Sequence, residues 1–393
     1  MHRYVCDLLS APAGRPAAAR LPPAPGARVA GFARLRGALH DAALARAYSV
    51  DWKPGLVAAA GKDGVVTVWG SHALEAGALT GDGEGDDVAP LLSERLHKGW
   101  VSDVQFLSSS SSSSSLGGFS AGSGGDDGGP AAGGALLLTA GNDGGVCVWD
   151  VAQCAAQGRR QVPRCLARGQ ELHRGGVFSM HEAGGRVLTA SKDGSVVVSA
   201  LRGDGGLLAT SRHDDLHGGG VVKCARWRRA GGAAAAAAPD VFASCGNDRA
   251  VRIVDARQGG AAAAVVLEGG HSSAVNCVRW SPAAEHLLLS SSHDPHVLLH
   301  DLRAPSQALH SLAGHSAERR IAAIYQPAFV AGGRGVAAAG AGGLSLYDVA
   351  SGAAVSRGEV GLAVGATCCG PEEGDPLLCT AARQVAMFAP RWE

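Results

Sequence analysis

Five times along this chain a run of small residues leads to a turn Asp. Six residues after that Asp comes an aromatic residue or its replacement. The phrase reads AAAGKDGVVTVW from Ala58 to Trp69 and LTAGNDGGVCVWD from Leu138 to Asp150. It returns as LTASKDGSVVVS from Leu188, ASCGNDRAVRIVD from Ala243 and LSSSHDPHVLLHD from Leu289, with a degenerate copy, AAAGAGGLSLYD, from Ala337. A unit this short cannot bury its apolar face alone, so repetition forces the copies to stack on one another. Alternating apolar residues on either side of a tight turn mark each unit as antiparallel strands.

The aromatic position serves as a ruler: Trp69, Trp149, Ser199, Val254, His300, Tyr347 and Phe388, with gaps of 80, 50, 55, 46, 47 and 41 residues. The wide gaps hold low-complexity inserts at residues 108–134 and 230–239. Without them the period falls near the roughly 40–45 residues of a four-stranded propeller blade. Upstream of the turns stand His40, His97, His173, His217, His271 and His315, each before a strand such as VSDVQF, VVKCARW or VNCVRW.

These features resemble the WD-repeat family, and the resemblance runs through nearly the whole chain. It implies an all-β, seven-bladed propeller, one domain over residues 1–393. It also implies that His, Ser/Thr, Asp and Trp are linked by hydrogen bonds within each blade. The second copy keeps the full set, His97, Thr139, Asp143 and Trp149. The next three keep three members each: His173, Thr189 and Asp193; His217, Ser244 and Asp248; His271, Ser290 and Asp294. The first copy has Ala59 where the hydroxyl belongs, and the sixth has Ala337 and Ala341 for hydroxyl and acid. The chain ends soon after Phe388, so the last blade needs an outer strand from the N-terminus. The strand-like run from Tyr4 to Leu9 is the expected donor, because closing the ring removes open edges. A competing reading of the N-terminus is an organelle transit peptide, since Arg15, Arg20, Arg28, Arg34 and Arg36 lie among Ala and Pro without an acid between Asp7 and Asp41.

Composition narrows the function. Lys plus Arg equals Asp plus Glu at 35 each, so net charge advertises neither nucleic acid nor a membrane surface. No apolar stretch approaches the roughly 18 residues of a membrane span. The ten cysteines include no C-x-x-C pair, so no metal or other cofactor is expected, and Cys147, Cys245 and Cys277 fit as packed thiols in a reducing compartment. The expected setting is cytoplasmic or nuclear. Asp, His and Ser/Thr are triad residue types, yet here they recur copy after copy, as braces do and a single nucleophile does not. No nucleophile elbow or phosphate-loop motif accompanies them, and the reading is non-enzymatic. The run Arg226-Trp227-Arg228-Arg229 has phosphate-binding residue types, but Trp227 falls at the core-strand position of Trp52 and Trp280.

The expected partners are other proteins. With the four strands of a blade lettered a to d in chain order, loops d–a and b–c share one face of a propeller, and the inserts fall on the opposite face. The compact face carries Lys62, Asn142, Lys192, Asn247 and His293 before the turn acids, and Trp100 at the head of a strand, a composition suited to recognition. The paired ends Asp255-Ala256-Arg257 and Asp301-Leu302-Arg303 are similar to the WDxR box of substrate receptors of cullin-RING ubiquitin ligases. That resemblance implies that Arg257 and Arg303 contact the damaged-DNA-binding adaptor, and makes a ligase receptor the alternative to a general interaction scaffold.

Overall fold

The computed structural model describes residues 29–34, 39–70, 89–107, 135–152, 162–169, 171–228, 239–258, 263–313, 326–340, 343–358, 367–369, 377–381 and 384–392. Both inserts fall outside them, save for residue 239, as do Tyr4–Leu9, His315 and Ala341. The strands form six four-stranded antiparallel sheets and one five-stranded sheet, each a blade. Blade 2 shows the plan: strand a Val101–Phe106, b Leu136–Gly141, c Val146–Asp150 and d Arg164–Gly169. Strand c carries the ruler residue in every blade, from Trp69 in Val65–Gly70 to Phe388 in Gln384–Trp392.

Strand b is wholly buried in blades 1, 2, 4, 5 and 6, as in LLLTAG of Leu136–Gly141 and GVAAAG of Gly335–Gly340. A strand buried on both faces reads as a continuous run of small and apolar residues, which is the run ahead of each turn Asp. The core is correspondingly divided. Among the described residues seven apolar clusters lie between neighbouring sheets, and one of them joins Leu378 and Val385 of the last blade to Val57 and Trp69 of the first. That cluster closes the ring.

The closing strand is not the expected one. Val29–Arg34 is the outer strand of blade 7, pairing antiparallel with Gln384–Trp392 in a register that sets Arg34 opposite Phe388. Leu39–His40 pairs with the same strand, setting Leu39 opposite Val385. The sequence VAGFAR sits among the arginines that resembled a targeting segment, and its Ala and Gly carry little strand propensity. Its pairing comes from the nine-residue partner strand, whose edge would otherwise lie open.

Strand a shares one irregularity in blades 1 to 5. Register shifts at its second residue, so Tyr48, Ser102, Phe178, Lys223 and Asn276 are each an extra residue against strand b. A bulge re-aims the side chain it carries. Here it sets five side chains at the mouth of the central channel.

Candidate functional site

The braces hold that mouth in place. In blade 2 His97 Nδ1 lies 3.0 Å from Asp143 Oδ1 and Nε2 lies 2.8 Å from Thr139 Oγ1, while the Trp149 indole donates to Thr139 Oγ1 at 2.9 Å. Asp143 also accepts the backbone N–H of Lys98 and of Gly145. Burial works against the charge on Asp143, but the His97 hydrogen bond and the two amides outweigh it and hold the carboxyl well below the usual range. Gly141 leaves the space the brace needs, since a Cβ there would lie 2.5 Å from His97 Nδ1.

The three incomplete copies keep the His–hydroxyl link and vary the rest. In blade 4 His217 meets Asp248 at 2.8 Å and Ser244 at 3.0 Å, and Arg252 pairs with Asp248. His217 and Arg252 together draw the Asp248 carboxyl to about 2 against the cost of burial. In blade 3 Ser195 slips between His173 and Asp193, at 2.9 Å from His173 Nδ1 and 2.6 Å from Asp193 Oδ1. In blade 5 His300 takes the place of Trp. Its Nε2 lies 2.8 Å from Ser290 Oγ, which also meets His271 Nε2 at 2.8 Å. With Nδ1 of His271 donating to Asp294, Nε2 accepts from Ser290, and a neutral His300 donates to Ser290 as an indole would. Burial draws His300 down to about 4, so it stays neutral.

Blade 1 corrects the assignment of its brace. His40 belongs to the short strand beside blade 7, and Asp63 is exposed. The buried Asp41 takes over, accepting hydrogen bonds from Thr67 Oγ1 at 2.7 Å, Ser93 Oγ and the Ala43 amide. With Ala59 in the hydroxyl position, the buried Trp69 indole N–H has no hydrogen-bond partner.

The residues before the turn acids share one face. The backbone N–H groups of Lys62, Asn142, Lys192, Asn247 and His293 donate to the carbonyls of Arg46, Trp100, Gly176, Val221 and Ala274, each two residues before its blade's bulge. All five residues are exposed on that face. Trp100 packs edge-on against Tyr48, with centroids 5.6 Å apart at 84°, and against Phe178 at 6.3 Å and 60°. Lys223 and Asn276 complete the wall of a cleft of about 580 Å³, open mouth included.

One residue deeper along strand a, Asp103 joins four blades. It accepts from Ser49 Oγ at 2.8 Å, the Met180 N–H at 3.0 Å and Arg226 Nη2 at 2.8 Å. Strands a of neighbouring blades splay apart and cannot pair, so side chains satisfy their backbone. Ser49, Asp103 and Ser179 accept from Val104, Met180 and Ala225; Asp51, Gln105 and His181 accept from Phe106, Glu182 and Trp227. Sequence reasoning missed these residues. The signal was there: a polar residue at the third and fifth places of an otherwise apolar strand. Arg226 is therefore a buried ion-pair member, Trp227 is buried core, and Arg228 lies 3.9 Å from Glu285. Those contacts commit the described part of the basic run, and Arg229 lies outside the described residues.

Arg257 and Arg303 stand just past the ends of strand c in blades 4 and 5. Each forks back onto the Asp of its own Asp-x-Arg, Arg257 at 2.9 and 2.6 Å from the Asp255 oxygens and Arg303 at 3.0 and 2.7 Å from those of Asp301. Arg257 adds Asp240 of its own blade at 3.3 Å, and Arg303 is only 18% exposed. Among the described residues no group of three or more His, Cys, Asp or Glu side chains is arranged to hold a metal.

Seven blades, a ruler residue on every strand c and a repeated His–hydroxyl–acid brace define a seven-bladed β-propeller built like one of WD repeats. Residues 265–301 match the family model described as WD domain, G-beta repeat. The crystal structure of the WD40 beta propeller domain of Doa1 superposes with a TM-score of 0.61 at 15% identity, covering 91% of this chain and 97% of that one. The Ribosome biogenesis protein WDR12 homolog of Chlamydomonas reinhardtii is 39% identical over 70 residues. That stretch is 17% of this chain and 16% of the relative.

Proposed function

We propose that this propeller is a non-catalytic scaffold for protein–protein interaction, and that its recognition surface is the face around the channel mouth. The observation that carries this reading is the aromatic group Tyr48, Trp100 and Phe178 set in a rigid cleft on a face with five exposed polar residues. Aromatic anchors surrounded by polar residues are the usual anatomy of a binding hot spot. The Asp–His–Ser/Thr sets are fully occupied in bracing turns, which supports a non-catalytic role for them. No helix among the described residues is long and apolar enough to cross a membrane. A cytoplasmic or nuclear setting accords with the process named for the Chlamydomonas relative, ribosome biogenesis. Photo-crosslinkers placed at Lys62, Lys192 and Asn247, and at Glu285 on the opposite face, test the surface. Partner adducts are expected from the first three; adducts from Glu285 alone would move the interface to the other face.

The second reading, a substrate receptor of a cullin-RING ligase, is supported by one observation. Two adjacent blades present the same Asp–Arg fork at the same rim, with Arg257 41% exposed. Co-purification of the cullin adaptor with the wild-type chain tests it, and absence of the adaptor leaves the general scaffold.

A further inference from the structure

The cleft at the mouth is divided into unlike halves. Blades 1 to 3 supply Tyr48, Trp100 and Phe178, while blades 4 and 5 supply Lys223 and Asn276. The polar half is left unsatisfied. Asn276 is 4% exposed, and neither its amide oxygen nor its amide nitrogen has a hydrogen-bond partner. The Trp100 indole N–H also has none. Lys223 pairs with no carboxylate among the described residues; its contact is His293 Nε2 at 3.4 Å. Buried hydrogen-bonding groups left unmade are costly, and a site that keeps several of them together is relieved by a ligand that fills them.

Charge decides what kind of ligand. Three aromatic rings at a mouth would suit a cation. Here the cleft's carboxylate, Asp103, is already committed to Arg226 at 2.8 Å, and Lys223 stands in the same wall. Gln326 is committed as well, accepting from Arg279 and donating to the Tyr48 carbonyl. What remains unfilled is an ammonium, an indole N–H, an amide and the Arg226 Nε–H, so the free capacity is chiefly donor capacity beside an apolar wall.

Building on the recognition face described above, we propose that this cleft receives an acidic side chain, an Asp or Glu of an extended peptide segment in a partner protein. Its carboxylate faces Lys223 and the Asn276 amide, and an apolar neighbour packs on Trp100, Tyr48 and Phe178. Charge-assisted hydrogen bonds to a carboxylate are the stronger kind, and a half-buried ammonium strengthens them further.

The test is selection of linear dodecapeptides from a displayed random library against the whole chain, followed by titration of the selected peptides in synthetic, C-terminally amidated form. The expected consensus fixes one Asp or Glu beside an aromatic or aliphatic residue. Changing that acid to its amide, or making Lys223→Met or Asn276→Leu in the protein, is expected to weaken binding at least tenfold, and Lys223→Arg to retain most of it. Melting curves of the variants confirm that each is folded. A consensus fixing Arg or Lys, a requirement for a free C-terminal carboxylate, no enrichment at all, or unchanged affinity in the folded Lys223→Met and Asn276→Leu proteins would overturn the inference. Should crosslinks at Lys62 and Lys192 persist while those two variants are silent, the acidic pocket fails and the recognition face stands. Should crosslinks arise only from Glu285, the face itself is wrong.

Discussion

The braces within blades and the ties between blades satisfy the same kind of buried polar atom in different ways. A brace is built from residues of one blade and repeats at fixed spacing: His97, Thr139, Asp143 and Trp149 in blade 2, with variants in blades 3 to 5. A tie is built from strand a of one blade and the backbone of the next, and its residue type changes at every step, from Ser49 to Asp103 to Ser179. The brace must fit one turn, so its chemistry is narrow. The tie must only present an acceptor to an N–H, so several side chains serve. Redundancy also differs. The braces are several and independent, whereas Asp103 alone receives hydrogen bonds from Ser49, Met180 and Arg226.

That contrast predicts its largest effect at Asp103. Asp103→Ala leaves the buried Arg226 without its carboxylate, and removing one partner of a buried pair costs about 3–5 kcal/mol. Chemical denaturation should show this as a drop in midpoint. A loss no larger than that of a single brace would show that the ties are as redundant as the braces.

Asp143→Ala should come next, at roughly 1–3 kcal/mol, since it strands the His97 ring and the Lys98 and Gly145 amides. Asp143 also carries a pH dependence. Its carboxyl is depressed in the fold, so its contribution is complete above the ordinary carboxylate pKa and is lost as pH falls toward the folded value. Acid titration of stability should therefore be shallower in Asp143→Ala than in the wild type.

Blade 5 gives a sharper comparison. His300 is neutral in the fold with its pKa near 4, while an unfolded His protonates near 6.5. Its linkage is therefore absent above about pH 6.5, and stability falls as pH drops from there toward 4, by up to about 3 kcal/mol. His173, depressed chiefly by burial, adds a loss of the same sign. Replacing the substitute with the residue of blade 2, His300→Trp, should flatten this slope between pH 6.5 and 4 without removing it. An unchanged slope would mean that His300 is charged in the fold.

The smallest effect is expected at Arg303. Arg303→Ala removes a fork made to a neighbouring side chain of its own strand end, and should lower stability in denaturation by about 1 kcal/mol, because the backbone N–H of residue 303 still donates to the buried Asp301. A much larger loss would turn the fork into a structural clamp.

Much of this was legible in the sequence because strand b, the turn Asp and strand c are contiguous. Their spacing is a property of one hairpin, so LTAGNDGGVCVWD announces both its turn and its Trp. The substitution at His300 shows where that legibility thins. Position alone marks the residue as a replacement, while its hydrogen bond to Ser290 depends on a ring nitrogen reaching the place of the indole N–H. The closing strand was less legible still. Val29–Arg34 and Gln384–Trp392 lie at opposite ends of the chain, and VAGFAR has little strand character of its own. The first brace was misassigned for a similar reason: His40 is drawn into pairing with Gln384, and Asp41 beside it turns to Thr67 and Ser93.

The sequence by itself determined the blade, its turn and the number of copies, because these follow from local alternation and a repeat too small to bury its own face. Only the tertiary structure decided the channel. Arg226 and Asp103 lie 123 residues apart and meet at 2.8 Å because ring closure brings every strand a to one axis. The same convergence sets Tyr48, Trp100, Phe178, Lys223 and Asn276 around one cleft, although four of them are each the second residue of strand a in their own blade and Trp100 only precedes its strand. Local periodicity specifies which face of a strand is buried. It carries no information about which other strand's side chains share the space in front of it.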